Sequence, residues 1–290
     1  MNQEMNKDKF MNLKDSFLLE KKFEEKAPGT IKHYEYVLNL FLDLLPGNKP
    51  ITKVEILELK DELEKLEFNI STYNNYITII DSFFKYCKCE ELCLKKKEIQ
   101  NIGSLKNVLN PIDYKRLLRW ASKLNMEECK MIMTVLAETG IRIAELKFIT
   151  VEAVKESNFI EVTNKGKTRN IILKNDLRKD LKKYANKRKI KSGYIFRSRQ
   201  NPTNPAVEKT IWNDMKKVAK HAHVSKDKVH PHSFRHLFSI RWLEQGGSLP
   251  DLADILGHNS IETTRIYAKT TDEMKKSALE KMRYKGAKKS

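Results

Sequence analysis

The sequence predicts a mainly α-helical protein with a small β-sheet, divided into two domains. Apolar residues recur at three- and four-residue intervals through much of residues 9–97 and again further along the chain, which is the period of amphipathic helices. This period is lost over 95–108, where lysine and polar residues dominate, and we place an interdomain linker at 98–109. We therefore predict a helical domain over 1–97 and a mixed α/β domain over 110–290, for which 290 residues suffice.

Three amphipathic helices are predicted in the first domain. Pro46 and Gly47 end the first of them, because proline and glycine interrupt helices. Thr52 is placed to cap the second helix, and Ser71 or Thr72 is placed to cap the third. The apolar stripe of the first helix consists of Thr30, Tyr34, Leu38, Phe41 and Leu45. We expect such stripe residues to form the core of this domain.

The second domain is predicted to begin with a helix that Asn110 caps and in which Pro111 takes the first position. Another helix near 126–138 ends at Gly140. Two short segments rich in β-branched residues flank a polar turn, a pattern typical of a β-hairpin. The predicted strands are 159–163 and 169–173, and the turn is 164–168. The remainder is predicted to be helical.

The net charge is strongly positive, at +18. Such an excess suits a polyanionic partner, because each neutralised phosphate releases condensed counterions. A lysine-rich solubilising surface in a protein from an AT-rich genome would produce the same composition. Charge therefore favours nucleic acid as a partner but does not distinguish an enzyme from a passive binding protein.

Cysteine usage and hydropathy limit the protein class. The four cysteines do not suggest a disulfide framework in a chain of this length. Cys87, Cys89 and Cys93 lie close together, but a zinc site usually has Cys-x2-Cys spacing and a fourth ligand, so we favour ordinary reduced cysteines over metal binding. No apolar run approaches the ~18 residues of a membrane span, and the N-terminus has no signal segment. We expect a cytoplasmic protein without a membrane partner.

A cluster of reactive side chains lies in the sequence His-Pro-His-Ser-Phe-Arg-His at 230–236. His232 and Arg235 are three residues apart at the start of a predicted helix, so they share a face. An arginine offers a planar set of donors that matches phosphate oxygens, and a histidine can move a proton near neutral pH. An exposed pair on an ordinary helix is the alternative, and only the residues downstream make the phosphate interpretation preferable.

Those downstream residues are Leu-Gly-His at 256–258 and Thr-Thr-Arg-Ile-Tyr at 263–267. Gly257 is predicted to end a helix that starts at Ser248, which would fix His258 in a turn. Tyr267 follows nine residues later. Histidines, arginines and one tyrosine are the side chains needed for a phenol to attack a phosphodiester.

Together these motifs resemble the active site of the tyrosine recombinases, the phage-integrase and Xer-like family that cuts and rejoins DNA. The segment from Thr139 to Leu146 matches the family pattern Thr-Gly-x-Arg-x-x-Glu-Leu in full, with Arg142 and Glu145 at the charged positions. The family also places a lysine in the turn of a β-hairpin. Here Lys165 is preferred over Lys167, although Asn164 replaces the usual preceding glycine.

The resemblance implies a role for each of these residues. Tyr267 would attack the scissile phosphate and form a covalent 3′-phosphotyrosine link. Arg142 and Arg235 would hold the non-bridging oxygens of the phosphate. Glu145 would support these groups without touching the phosphate itself. The remaining roles are proton donation to the leaving oxygen by Lys165, proton acceptance from the tyrosine by His232, and hydrogen bonding to the phosphate by His258.

The resemblance also implies the architecture and the partners. The first domain would be a core-binding domain and the second a catalytic domain, and together they would form a clamp on DNA. The partner would be double-stranded DNA with an inverted-repeat recombination site, bound by a homotetramer that could dissociate to monomers in solution, in a bacterial cytoplasm. About twenty residues precede the first predicted helix, too few for a separate arm-binding domain. No Asp/Glu cluster or nucleotide loop is apparent, so we expect no metal or cofactor.

Two other protein classes remain open. A type IB topoisomerase shares the chemistry but relaxes supercoils as a monomer, and the compact segment from Leu256 to Tyr267 favours the recombinase. A DNA-binding protein that kept the fold without activity is the second alternative. The complete set of six site residues disfavours it.

The C-terminal segment 270–290 has its own pattern. Thr270 and Glu273 have capping-box spacing, and an apolar stripe follows before a basic tail. A short helix of this kind needs a surface to pack on. It could fold back on its own domain, whereas the family resemblance implies docking on a neighbouring protomer.

Overall fold

The computed structural model describes residues 5–45, 50–98, 108–164, 167–258 and 260–268. The chain divides into two compact units, Met1–Asn101 and Ile102–Ser290. Within the described ranges both units are mainly helical, and the only strands form a two-stranded sheet in the second unit. The predicted fold class is therefore confirmed. None of the described helices is long and apolar enough to cross a membrane.

The first unit contains four α-helices within the described residues. These are α1 (Lys7–Phe23), α2 (Pro28–Leu44), α3 (Lys53–Lys65) and α4 (Ile70–Tyr86). Helix α1 corrects the expectation that about twenty residues precede the first helix. Its apolar stripe of Phe10, Leu13, Phe17 and Leu18 has regular helical spacing, so the pattern was present in the sequence and was missed. Both rings pack against Phe83 of α4, which ties the first and last helices of the unit together.

The helix ends show which capping predictions were right. Thr52 caps α3, as predicted, and also forms a capping box with Glu55. Helix α4 begins earlier than predicted, because Asn69 rather than Ser71 or Thr72 is the cap and accepts the Thr72 backbone N–H at 2.8 Å. Helix α2 ends at Leu44, while Pro46 and Gly47 lie outside the described residues, as does most of the predicted linker 98–109.

The second unit is built from eight described α-helices and the hairpin. Asn110 caps α5 with Pro111 at its first position, and α6 ends at Gly140, both as predicted. The helices are α5 (Pro111–Lys123), α6 (Glu127–Thr139), α7 (Val151–Glu156), α8 (Asn175–Lys187), α9 (Glu208–His221), α10 (Pro231–Glu244), α11 (Leu249–Leu256) and α12 (Ile261–Ala268). Ser248 caps α11. Helix α10 packs against α6, α11 and α12, so it is the element on which the candidate site is built.

The predicted hairpin consists of β1 (Phe159–Asn164) and β2 (Lys167–Ile172), paired antiparallel. The strands reach closer to the turn than expected, since Asn164 pairs with Lys167. Val162, which is fully buried, lies opposite Arg169. Directly opposed residues point to the same face of a sheet, so this register turns the Arg169 side chain toward the protein interior.

Candidate active site

The first feature of the site is the sharp turn between α6 and Arg142. Gly140 adopts a left-handed backbone with φ of 64°, and a Cβ atom there would lie 2.5 Å from the Phe238 ring. Only glycine satisfies both the conformation and the space. Arg142 then precedes a 3-10 helix (Ile143–Phe148), and its backbone N–H donates to Glu145 Oε2 at 2.8 Å. The turn predicted at this motif therefore fixes the backbone of Arg142.

Glu145 connects two arginines. Its carboxylate accepts both arms of the Arg169 guanidinium, each at 2.8 Å, and also accepts Arg142 Nη1 at 3.1 Å. The side chain of Glu145 is only 1% exposed. Burial by itself would raise the pKa of this carboxyl, but the hydrogen bonds from Arg169 and from the Arg142 backbone outweigh burial and hold the pKa at about 2. Glu145 is thus a permanent anion that orients Arg142.

Three arginine side chains converge on the C-terminal end of α11. Gly257 ends this helix with φ of 62°, as predicted, and leaves the last carbonyls without helical partners. The guanidinium groups donate to three consecutive carbonyl oxygens: Arg169 Nε to Ile255 at 3.0 Å, Arg235 Nη2 to Leu256 at 2.6 Å, and Arg142 Nη2 to Gly257 at 3.1 Å. The negative end of a helix suits such cations. The arrangement fixes both predicted catalytic arginines to the segment that carries His258.

Arg235 is the most buried of these cations, at 3% exposure. Its other arm donates to the Gly140 carbonyl at 2.6 Å. Burial, and then the neighbouring charges of Arg142 and Arg169, lower the pKa of Arg235 to about 10. Its hydrogen bonds to Gly140 and Leu256 are made to neutral carbonyls, so the positive charge near Arg142 is incompletely balanced. An anion such as a phosphate would be stabilised there.

His258 and His232 both lie in this positive field. His258 Nδ1 is 2.7 Å from the hydroxyl of the fully buried Thr264 on α12, which fixes the ring. Burial and the charges of Arg235 and Arg142 lower the pKa of His258 to about 4. Burial and the same two arginines also lower the pKa of His232. The electrostatic coupling places both imidazoles near the arginine pair.

Tyr267 is buried on α12, at 3% exposure. Its hydroxyl is 2.8 Å from Nδ1 of His236, and the ring centroids are 5.3 Å apart. Burial raises the pKa of the phenol, whereas Ser239 and the charge of Arg235 lower it. The phenolic oxygen therefore lies within the electrostatic range of Arg235.

Most of the residues predicted from sequence come together in the second unit. Contacts or charge interactions link Arg142, Glu145, His232, Arg235, His258 and Tyr267. Lys165 falls outside the described residues. Sequence reasoning missed two residues, Arg169 and His236. His236 lies one helical turn after His232, and that spacing was the available signal; no local signal marked Arg169, whose role depends on strand register.

Comparison with known proteins connects this geometry to a family. A model of the phage integrase family matches residues 107–274. Tyrosine recombinase XerA of Pyrococcus horikoshii is 30% identical over 262 residues, covering 89% of this chain and 89% of that protein. Tyrosine recombinase XerD of Listeria monocytogenes is 28% identical and covers 84% of this chain and 89% of its own.

Solved structures show the same relationship. The crystal structure of XerA recombinase is 26% identical, with a TM-score of 0.52, and the match covers 95% of this chain and 100% of that one. The Tn1549 transposon integrase in complex with circular intermediate DNA has a TM-score of 0.72 at 16% identity, covering 95% and 99%, a likeness in fold alone. The chain belongs to the phage integrase family, the tyrosine recombinases. It is accordingly an enzyme of site-specific recombination, in which a tyrosine cleaves DNA and the strands are rejoined.

Proposed function

We propose that Tyr267 is the nucleophile of this recombinase and that Arg142 and Arg235 form its phosphate site. The observation that carries the proposal is the convergence of both arginines on the end of α11, beside His258 and within electrostatic range of the Tyr267 hydroxyl. A phosphate placed against this arginine pair would lie close to the buried phenol, so the nucleophile and the phosphate would be held in one site.

The chemistry follows from the side chains. The Tyr267 oxygen attacks phosphorus and forms a 3′-phosphotyrosine bond, and the 5′ oxygen leaves. Arg142 and Arg235 stabilise the charge that builds on the non-bridging oxygens, and their carbonyl contacts hold them in place before the substrate arrives. His258, fixed by Thr264, hydrogen-bonds the phosphate. Lys165 protonates the leaving oxygen.

His232 is given a different role from the one that the resemblance implies. It lies in the field of Arg235 and Arg142, yet it makes no hydrogen bond to Tyr267 within the described part of the chain. The phenol is instead bonded to His236. We therefore assign His232 to the phosphate side of the site, where a neutral imidazole can donate a hydrogen bond to a non-bridging oxygen.

DNA is the partner, and we propose that it is double-stranded DNA carrying an inverted-repeat site. The unit 1–101 is proposed as the core-binding domain and the unit 102–290 as the catalytic domain. Two inverted half-sites would each bind one protomer, and pairing of two such sites gives a homotetramer. The segment 270–290, predicted to dock between protomers, lies outside the described residues.

The test is covalent trapping of the full chain on nicked DNA. In a library of singly nicked duplex fragments, a nick just 3′ of the scissile phosphate lets the short piece that carries the free 5′-hydroxyl diffuse away after cleavage, so the covalent complex accumulates. Sequencing of the trapped strands should recover a small set of related sites with inverted symmetry. Adducts on unrelated sequences, together with relaxation of plasmid that lacks such a site, would indicate a topoisomerase instead. Absence of any adduct would contradict the catalytic proposal.

A further inference from the structure

His236 is in direct contact with the proposed nucleophile. Its Nδ1 atom lies 2.8 Å from the Tyr267 hydroxyl oxygen, and the two rings are 5.3 Å apart with an angle of 54° between their planes. Tyr267 is almost fully buried, so this contact is enclosed by protein. An imidazole nitrogen at this distance from a phenol is a hydrogen-bonding partner for the proton that the phenol must lose.

The geometry separates His236 from His232. The two residues are four positions apart on α10 and therefore lie on one face of the helix, one turn apart. His232 lies within electrostatic range of Arg235 and Arg142, the two arginines of the proposed phosphate site. His236 interacts with Tyr267. The helix thus presents one histidine to the phosphate and the next to the nucleophile.

We propose that His236 is a catalytic residue that receives the Tyr267 hydroxyl proton during strand cleavage. The proposal rests on Tyr267 being the nucleophile. As the phenolic O–H bond breaks, its proton moves to Nδ1 of His236 and the oxygen forms a bond to phosphorus. The bond from phosphorus to the 5′ oxygen breaks, and that oxygen takes its proton from a separate acid, Lys165 in the proposed function. On rejoining, the 5′ hydroxyl gives its proton back to the amine of Lys165 as its oxygen attacks phosphorus, and His236 returns its own proton to the departing tyrosine oxygen.

The protonation state of His236 fits this role. Burial, followed by the charges of His232, His230 and Arg235, lowers the pKa of His236 to about 4. The imidazole is therefore neutral near pH 7, and Nδ1 is free to accept the hydrogen bond when Nε2 carries the proton. A phosphate bound at Arg235 adds negative charge nearby, which raises the basicity of the ring as the substrate arrives.

Ser239 is another polar neighbour of the phenol. Its hydroxyl donates to the Arg235 carbonyl at 2.8 Å, one turn before it on α10. A serine hydroxyl is far too weak a base to take a proton from a phenol. Ser239 therefore helps to position Tyr267, whereas His236 can both position it and accept its proton.

The experiment measures single-turnover formation of the covalent complex on a nicked site recovered by the trapping screen. Three variants separate the roles of the ring. His236→Ala removes it, His236→Phe keeps its volume without nitrogen, and His236→Asn keeps a hydrogen-bond acceptor that cannot carry the proton. Each variant is first checked for thermal unfolding and for binding to the site. His221→Ala, which removes an exposed imidazole from α9, is the control.

We expect all three His236 variants to form the covalent complex about 10²- to 10⁴-fold more slowly, the usual contribution of a general base. A substrate with a 5′-bridging sulfur, whose leaving group needs no proton, should not restore the rate. Added imidazole should restore part of it in His236→Ala, because a small base can enter the vacated space. Imidazole should have no effect on His221→Ala or on the unaltered protein.

Several results would overturn the proposal. A cleavage rate of His236→Phe within about threefold of the rate of the unaltered protein would show that His236 is not the base. Full activity of His236→Asn would show that His236 only positions Tyr267, because asparagine accepts a hydrogen bond but cannot carry the proton. Faster cleavage by His236→Ala would show that the contact restrains Tyr267. In all three cases an adduct that depends on Tyr267 would leave the proposed function intact, whereas failure of the unaltered protein to form any adduct would overturn both.

Discussion

The Glu145 carboxylate receives both arms of the Arg169 guanidinium, each at 2.8 Å, in a nearly water-free position. Arg169 lies on β2 and Glu145 in the 3-10 helix after α6, so this pair joins the hairpin to the turn that carries Arg142. Arg169 also binds the Ile255 carbonyl at the end of α11. One side chain thus connects three elements that hold proposed catalytic residues.

Arg169→Lys should weaken both folding and cleavage. Lysine keeps the charge but cannot give two parallel hydrogen bonds and reach the Ile255 carbonyl as well. We expect a loss of about 2–3 kcal/mol in the free energy of unfolding, since a buried ion pair would be left poorly matched. Urea unfolding measures this loss. Arg199→Lys is the matched control, because the Arg199–Asp214 pair is more exposed and should change stability by less than about 1 kcal/mol. Equal stability changes in the two variants would contradict this account.

Glu145 should cause much of the loss in the free energy of unfolding as the pH falls from 4.5 toward 2. Its pKa in the folded protein is about 2, below the ordinary value of 4.5. The unfolded chain therefore binds the proton first, so the stabilisation is complete above pH 4.5 and is lost as pH falls toward 2. This lowering of the Glu145 pKa corresponds to about 3 kcal/mol in the free energy of unfolding. Urea unfolding of Glu145→Gln should show lower stability at pH 6 and a flatter slope from pH 4.5 downward. An unchanged slope would show that other carboxyls produce the acid dependence.

Gly140→Ala should destabilise the second unit by about 2 kcal/mol or more. The substitution adds left-handed strain and places a methyl group against Phe238 and Leu256. Gly246→Ala is the matched control, because Gly246 has φ of 85° but open space around its Cβ position. The control should therefore lose only about 1 kcal/mol, the cost of the backbone conformation. Thermal unfolding compares the two. A larger loss at Gly246 would contradict the packing argument.

Lys165→Ala should slow cleavage of an ordinary phosphodiester, because the leaving 5′ oxygen would lack its acid. A 5′-bridging sulfur leaves without a proton, so it should restore the rate. Single-turnover assays with the two substrates measure the difference, and Lys167→Ala serves as the control. If only the Lys167 variant shows this rescue, the acid lies two residues further along the hairpin.

The sequence predicted what depends on local chemistry. The caps Thr52 and Asn110 and the helix ends at Gly140 and Gly257 were right, because each is determined by a few neighbouring residues. The cap of α4 was wrong, because Asn69, Ser71 and Thr72 are all capable caps and only the packed helix selects one.

Contacts between distant residues were not predictable in this way. His236 meets Tyr267 across 31 residues, and the family motif drew attention to His232 instead. Arg169 reaches Glu145 only because β2 pairs with β1 in one register, which turns its side chain inward. Arg169 looks like an ordinary surface charge in the sequence, and the spacing of His236 from His232 does not say which partner His236 meets, since both roles depend on how the elements pack.

The central claim is that the Tyr267 hydroxyl attacks the DNA phosphate. Its most direct test is to compare the unaltered protein with Tyr267→Phe on the same nicked site, with peptide mapping of any adduct. The phenylalanine ring keeps the packing of α12, so binding should stay within about threefold of the original. We expect a covalent DNA adduct on the Tyr267 peptide of the unaltered protein and none with Tyr267→Phe. A covalent DNA adduct formed by Tyr267→Phe, or an adduct mapped to another tyrosine, would contradict it.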